Sequence, residues 1–311
     1  MDPKSDEHDK EMGKNQEGPL TYKVPDEHVF KGVKLHDGML HEGSEEADIY
    51  DNLELTVDDC IVASYPKSGT TWTQEIVWLL HHGADTDKAK ETTLTERFSF
   101  IEMIQQIRKV PEMLPPKLIK THVPYSSLPR NYLNNSTTRP KVVYIARNPK
   151  DTAVSYFHFY RANRAYGLYK GSWSDFFEMF INEYTVYGCW FKHVVSWHNF
   201  AKMEPNILFL KYEDMKKKPT EQIHKIATFL GKDIDKEEVL KLTEHTKFES
   251  MKSNKAVNYS SSERIDASVS PFMRKGQIGD WKNYFTVAQN ERFMMMYEEK
   301  LKGTDLTFEF E

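Results

Sequence analysis

The stretch SYPKSGTTW, residues 64 to 72, carries the parts of an anion site. Lys67 supplies a full charge, Thr70 and Thr71 supply hydroxyl donors, and Gly69 lets the backbone approach an oxyanion closely. A helix starting after the glycine would add unpaired N–H groups and the positive end of its dipole. The order of the parts disfavours a nucleoside-triphosphate cradle with its magnesium. That pattern needs a glycine five places before the second glycine and a lysine directly after it. Here Ser64 stands five places before Gly69, and the lysine comes first. A shorter anion suits the loop better, such as a single 5′-phosphate with something attached. Other cations recur downstream: Lys120 two residues before His122, Arg147 ahead of Asp151, and the tripeptide Arg274-Lys275-Gly276.

Strands and helices must position these groups. DDCIVASYP (58–66), KLIKTHVP (117–124), KVVYIARNP (141–149) and NILFLKYEDM (206–215) are short apolar runs that read as buried strands. TWTQEIVWLLHHG puts Trp72, Ile76, Leu79 and Leu80 on one helical face, with Gly83 as a stop. The chain from Asp151 onward reads as a helix that Asp151 caps, and PTEQIHKIATFLG (219–231) as another. Buried strands between helices predict an α/β fold, a single domain with a central, mostly parallel sheet flanked by helices. Ligands of such sheets bind beyond the carboxyl ends of the strands. Those ends fall at 65–71, 120–122, 147–151 and 212–214, and three of the four carry a cation. In a chain with a net charge of -5, that local cluster points to an anionic ligand.

The acidic balance argues against a general nucleic-acid binder. No stretch approaches the roughly 18 apolar residues of a membrane span. The polar, acidic start lacks the apolar core of a secretory signal. A cytoplasmic protein with no membrane and no nucleic-acid partner is expected, its sequons at Asn134, Asn135 and Asn258 unused and Cys60 and Cys189 reduced. Residues 1–28 read as a charged, flexible tail and 29–311 as the domain. No metal site is expected: His81 and His82 are adjacent and cannot share a helix face, and His36 and His41 lack acidic partners at ligand spacing.

YPKSGTTW at 65–72 resembles the 5′-phosphosulfate loop of the cytosolic sulfotransferases, which move a sulfuryl group from 3′-phosphoadenosine 5′-phosphosulfate (PAPS) to an acceptor hydroxyl or amine. KTHVP (120–124), RNPKDTAVSY (147–156), KYED (211–214), HTKFESMK (245–252) and FMRKGQIGDWKNYFTVAQNE (272–291) resemble further segments of that family, in order and spacing. The resemblance implies a strand–loop–helix phosphosulfate motif and His122 as general base, a task suited to a group titrating near neutrality. It implies Lys67 for charge growing on the 5′-phosphate and Lys120 for the transferring group or the bridging oxygen. Around the donor it implies Lys67, Ser68, Gly69, Thr70 and Thr71 on the phosphosulfate. Arg147 and Ser155, with Arg274, Lys275 and Gly276, would take the 3′-phosphate. Trp72 and Phe248 would face the adenine with Tyr212 and Thr246 against the base, and Met251, Phe272 and Met273 would complete the nucleotide contacts. The co-product would be 3′,5′-adenosine bisphosphate (PAP), with no metal involved.

The acceptor side resembles the family at RFSFIEM (97–103), which implies Phe100 and Met103 near the acceptor, and by approximate alignment Met39. Lys120, His122 and Phe157 join them, and the stretch 161–172, flanked by Phe157, Tyr160 and Tyr166, is read as a lid. An apolar, aromatic lining suits a small hydrophobic acceptor such as a phenol, steroid or catecholamine. Lys282, Thr286, Val287 and Glu291 match the family's dimer motif and imply a homodimer. Two alternatives stay open at this level: a nucleotide kinase with a loop resembling the triphosphate cradle, and a nucleotide-binding protein without catalysis.

Overall fold

A computed structural model of the chain describes residues 22 to 311 apart from Ser136 and Thr138. The expected tail lies outside those residues as far as residue 21. From Tyr22 onward the chain is already packed: Val24 is buried, and the Tyr22 ring meets Tyr169 edge-on at 4.8 Å. The ordered body therefore starts before residue 29.

Seven strands are described. β1 (His28–Phe30) and β2 (Val33–Leu35) form an antiparallel hairpin. β3 (Cys60–Ala63), β4 (Ser99–Phe100), β5 (Leu118–Thr121), β6 (Lys141–Ala146) and β7 (Ile207–Lys211) form one sheet in the order β4-β5-β3-β6-β7, parallel throughout. Their apolar runs are explained by burial on both faces. Side chains alternate along a strand, and each set finds its own core. Cys60, Val62, Val143 and Ile145 pack under the helices Thr70–His81 and Pro219–Leu230, against Ile76, Leu79, Ile223 and Ile226. Ile61, Ala63, Val142, Tyr144 and Ala146 face the helices Pro149–Ala162 and Trp190–Met203, with Val154, Trp190 and Trp197.

Two boundaries differ from the sequence reading. The run at 206–215 is strand only to Lys211, and Tyr212–Lys217 already turns into helix. The helix expected from Asp151 begins at Pro149. Asn148 caps it through a side-chain oxygen that accepts from the Asp151 N–H, with proline at the first turn, where its missing N–H costs nothing. Asp151 instead accepts from the N–H groups of Gly279 (2.8 Å) and Trp281 (3.0 Å), and so anchors the C-terminal segment to this helix.

β3 lies between β5 and β6, so the chain crosses outward in both directions from it. In open parallel sheets that reversal opens a crevice at the carboxyl ends. The chain leaves β5, β3 and β6 there at His122, the 64–70 loop and Arg147.

Candidate active site

A cavity of about 740 Å³ lies over those three strand ends. Its floor begins with the loop after β3. Gly69 has φ +112°, and a Cβ on it would stand 2.9 Å from Cδ2 of Tyr212 and 3.1 Å from Cδ1 of Ile145. Only glycine allows both that backbone and that closeness. No side chain caps the following helix, Thr70–His81, whose first N–H groups stay available. The Ser64 and Thr70 hydroxyls are 2.6 Å apart, while the Ser68 hydroxyl is buried with no partner.

Lys67, Gly69, Thr70, Thr71, Trp72, Arg147, Ser155, Tyr212, Thr246, Phe248, Met251, Phe272, Met273 and Gly276 all line the cavity. Lys67 Nζ rests over the Phe272 ring, 3.7 Å from its centre, and 4.6 Å from the centre of Phe159. Burial, then the nearby Lys120, Arg147 and Arg274, pulls its ammonium down to about 7. Burial likewise lowers Lys120 to about 8, partly offset by Glu102. Among the described residues no Asp or Glu lines the cavity, although Arg147 lies 3.8 Å from Asp151 and Glu102 acts on Lys120 from behind the wall. A lining that carries cations and no carboxylate is arranged for an anionic ligand. Gly276 (φ +61°) makes room for the Phe248 ring, since a Cβ there would fall 2.2 Å from Phe248 Cδ2.

His122 ends β5 and is buried. Its Nδ1 donates to the Ser64 carbonyl at 2.8 Å, an oxygen that can only accept. That bond fixes the tautomer and leaves the Nε2 lone pair without a protein partner. Burial, followed by the charge of Lys120, holds the ring's pKa well below the usual histidine value, so it is neutral at pH 7. Phe100 and Tyr187 meet it edge-on at 5.2 and 5.4 Å. Its backbone is clamped from below: the His122 N–H donates to Glu102 Oε1 at 2.5 Å, and the Thr121 hydroxyl donates to the same oxygen at 3.0 Å. Burial pushes the Glu102 carboxyl up to about 7 despite both bonds.

Met39, Phe100, Met103, Lys120 and His122, expected near an acceptor, line the same cavity together with His36, Gln106, Tyr166, Tyr187 and Arg264. Met39 and Met103 form an isolated antiparallel bridge, which joins the segment after β2 to the one after β4. The 161–172 stretch is tied down where it begins: Asn163 bridges Ile265, Tyr166 is buried, and the Arg164 N–H donates to the Arg264 carbonyl at 2.9 Å.

Four expected residues are not on the wall: Ser68, whose hydroxyl is buried beneath it, Phe157, Arg274 and Lys275. Phe157 is buried against Trp173 and Phe176, because positions 155 and 159 share the cavity-facing side of their helix and 157 points away from it. Phe159 lines the cavity in its place. Arg274 and Lys275 both reach Asp280, whose carboxyl is lowered to about 2 by hydrogen bonds from Lys275, Arg274 and Asn283 against the cost of burial. Arg274 keeps a buried Nε without a partner. The 215–219 run, assigned no site role from sequence, puts Met215, Lys216 and Pro219 on the wall. Helical spacing from Ser155 would have found Phe159. No local pattern marks Glu102, His36, Tyr187 or Arg264, which converge only in the fold.

The comparisons with known proteins agree with this geometry. The sulfotransferase domain family matches residues 57–305. Sulfotransferase 1C2 of Rattus norvegicus is 43% identical over 258 residues, covering 81% of this chain and 86% of the relative. Sulfotransferase 1B1 of Canis lupus familiaris is 41% identical over 300 residues, covering 92% and 99%. The chain belongs to the sulfotransferase family. Among solved structures, retinol dehydratase in complex with androsterone and the inactive cofactor PAP aligns with a TM-score of 0.80 at 32% identity, over 89% of each chain. A mouse sulfotransferase complexed with PAP aligns with a TM-score of 0.73 at 33% identity, over 90% of this chain and 95% of the other. This sulfotransferase is thus an enzyme that uses PAPS to sulfate small acceptors. Its own residues fit that donor: the orphaned Ser68 hydroxyl, Trp72 Nε1 and Arg147 Nε are buried polar donors without partners, and Gly69 and Gly276 keep the walls open beside them.

Proposed function

We propose that the enzyme transfers the sulfuryl group in line to a hydroxyl of a small, largely apolar acceptor, with His122 as general base. The observation that carries this reading is the His122 tautomer, which commits Nδ1–H to Ser64 and leaves Nε2 free to accept a proton. Bound PAPS would supply an activated sulfuryl group on a phosphate able to depart. Held by the 67–72 loop, that phosphate meets Lys67 Nζ and the first N–H groups of the helix Thr70–His81. Both oppose negative charge as it grows there. Lys120, two residues before His122 on the same strand, supplies charge to the transferring group. Arg147 and Ser155, with the spare Nε of Arg274, take the 3′-phosphate, while Trp72 and Phe248 cover the adenine faces. The acceptor oxygen forms its bond to sulfur as the bridging oxygen leaves with the electron pair, and the acceptor proton moves to His122 Nε2.

The lining of Met39, Phe100, Met103, Tyr166 and Tyr187 favours a ring-bearing acceptor, in keeping with the androsterone in one neighbour's complex. We further propose a cytoplasmic homodimer. No helix among the described residues is long and apolar enough to cross a membrane. Val287 is 75% exposed at the start of the helix Val287–Leu301, where Thr286 caps it and Lys282 and Glu291 flank it. A screen of phenols, steroids, catecholamines, aliphatic alcohols and aryl amines with labelled PAPS tests the reaction. Label should appear in at least one class without added metal. Label on none of them, in protein that binds PAP, would sink the catalytic reading.

A further inference from the structure

Arg264 gives the acceptor half a polarity that a purely hydrophobic ligand leaves unanswered. It lines the cavity beside Met103, with Nη1 3.5 Å from the Met103 sulfur, a weak acceptor. Eight of the ten arginines in the chain lie within 4.0 Å of a carboxylate. Among the described residues Arg161 and Arg264 have no such partner, and of these two Arg264 lines the cavity, where no described Asp or Glu answers it. Its backbone is held in place by the Asn163–Ile265 bridge and by the Arg164 N–H. The charge is felt by the groups around it. After burial and an opposing hydrogen bond that His36 donates to the Asp37 carbonyl, Arg264 helps hold His36 down to about 4, and after burial and Glu102 it contributes to the lowering of Lys120. Lys67 and Arg147 have the phosphates of the donor to meet. Arg264 lies against Met103, while His122 lies against Phe100, three residues before it in the chain.

We propose that the acceptor this enzyme favours is a phenol or alcohol that carries a carboxylate, seated on Arg264 while its hydroxyl meets His122. This rests on the sulfotransferase reading above and narrows its acceptor. A guanidinium forks onto a carboxylate with two parallel hydrogen bonds. Phe100 stands edge-on to His122 at 5.2 Å and Met103, three residues on, touches Arg264, so the wall between charge and base suits one aromatic ring. An acceptor bearing an amine would be repelled by the same charge.

Three acceptors with one scaffold test this: 3-(4-hydroxyphenyl)propionate, its methyl ester, and tyramine. The wild-type enzyme should prefer the acid over the ester in kcat/KM, and tyramine should be poorest. Arg264→Gln should lower the acid-to-ester ratio about tenfold, the size of a partly exposed charge-assisted contact, and Arg264→Glu should move the preference toward tyramine. Equilibrium dialysis of the acid and the ester against the PAP complex reads the same contact without turnover. If the ester is sulfated and the ratio stays within twofold in both variants, the carboxylate proposal falls and the sulfotransferase reading stands. If no phenol is sulfated but the acid binds in an Arg264-dependent way, the opposite holds.

Discussion

The two halves of the cavity are built by different means. The donor half is made at strand ends and by the backbone: the Gly69 turn, the open start of the helix Thr70–His81, Arg147 at the end of β6, and Gly276 yielding space to Phe248. The other half is made of side chains from segments far apart in sequence, with Met39, Met103, Tyr187 and Arg264 lining the same cavity as His122. A bound nucleotide needs fixed phosphate positions, which backbone supplies with the least freedom. An acceptor site can change its specificity by exchanging side chains without disturbing the sheet. His122 belongs to both halves, since its position is set by Ser64 and Glu102 and its free nitrogen faces the acceptor.

That contrast can be broken most directly at the shared residue. His122→Ala should cut turnover by about 10²- to 10⁴-fold while PAP still binds, because the base is lost and the donor wall is untouched. Turnover within a few-fold of wild type, measured with saturating acceptor, would remove His122 from the chemistry. On the donor side, Gly276→Ala forces a Cβ to 2.2 Å from Phe248 at a backbone φ of +61°. PAP affinity should fall about tenfold or more, with a smaller change in turnover at saturating PAPS, since strain of this kind costs on the order of 1–3 kcal/mol. Calorimetric Kd values compared with kcat check this.

The Phe157 and Phe159 pair separates wall from core. Phe157→Ala should lower stability by about 3–5 kcal/mol in urea unfolding, because that ring is buried. Phe159→Ala should leave stability closer to wild type and raise the KM for PAPS, since its ring borders Lys67. Equal stability losses in the two variants would erase the distinction. The smallest effect is a proton count. The free Lys67 ammonium is lowered to about 7 and Lys120 to about 8, and a phosphate ligand favours the charged form of each. Ligand binding therefore raises both values. PAP affinity should be full below about pH 7 and should weaken as pH rises above it, with uptake of about one proton near pH 8 and almost none near pH 6. Calorimetry in two buffers of different ionisation enthalpy reads that uptake. Proton release, or affinity that rises with pH, would contradict the sign.

Much of the donor half was legible because its signals are local. A strand, a glycine turn and a helix start follow one another within residues 60–72, and the cations recur at the ends of apolar runs. Where the reading slipped, the cause was also local. Asp151 resembles a cap, but Asn148 and Pro149, three and two residues earlier, are better suited to start the helix. Phe157 shares a segment with Ser155 but lies on the other side of the helix. The destination of Arg274 and Lys275 depends on Asp280, five to six residues on, and a sequence match that spans all three does not show that they pair.

The sequence by itself determined the α/β class, the phosphosulfate loop, the family and the candidate base, because each rests on residues near one another in the chain. The tertiary structure decided which nitrogen of His122 stays free, through the Ser64 carbonyl on the neighbouring strand. It decided that Glu102 clamps the end of β5 and that Arg264 lines the cavity. Hydrogen bonds, desolvation and uncompensated charge depend on distances between side chains that lie tens of residues apart, and only the packed sheet brings those side chains together.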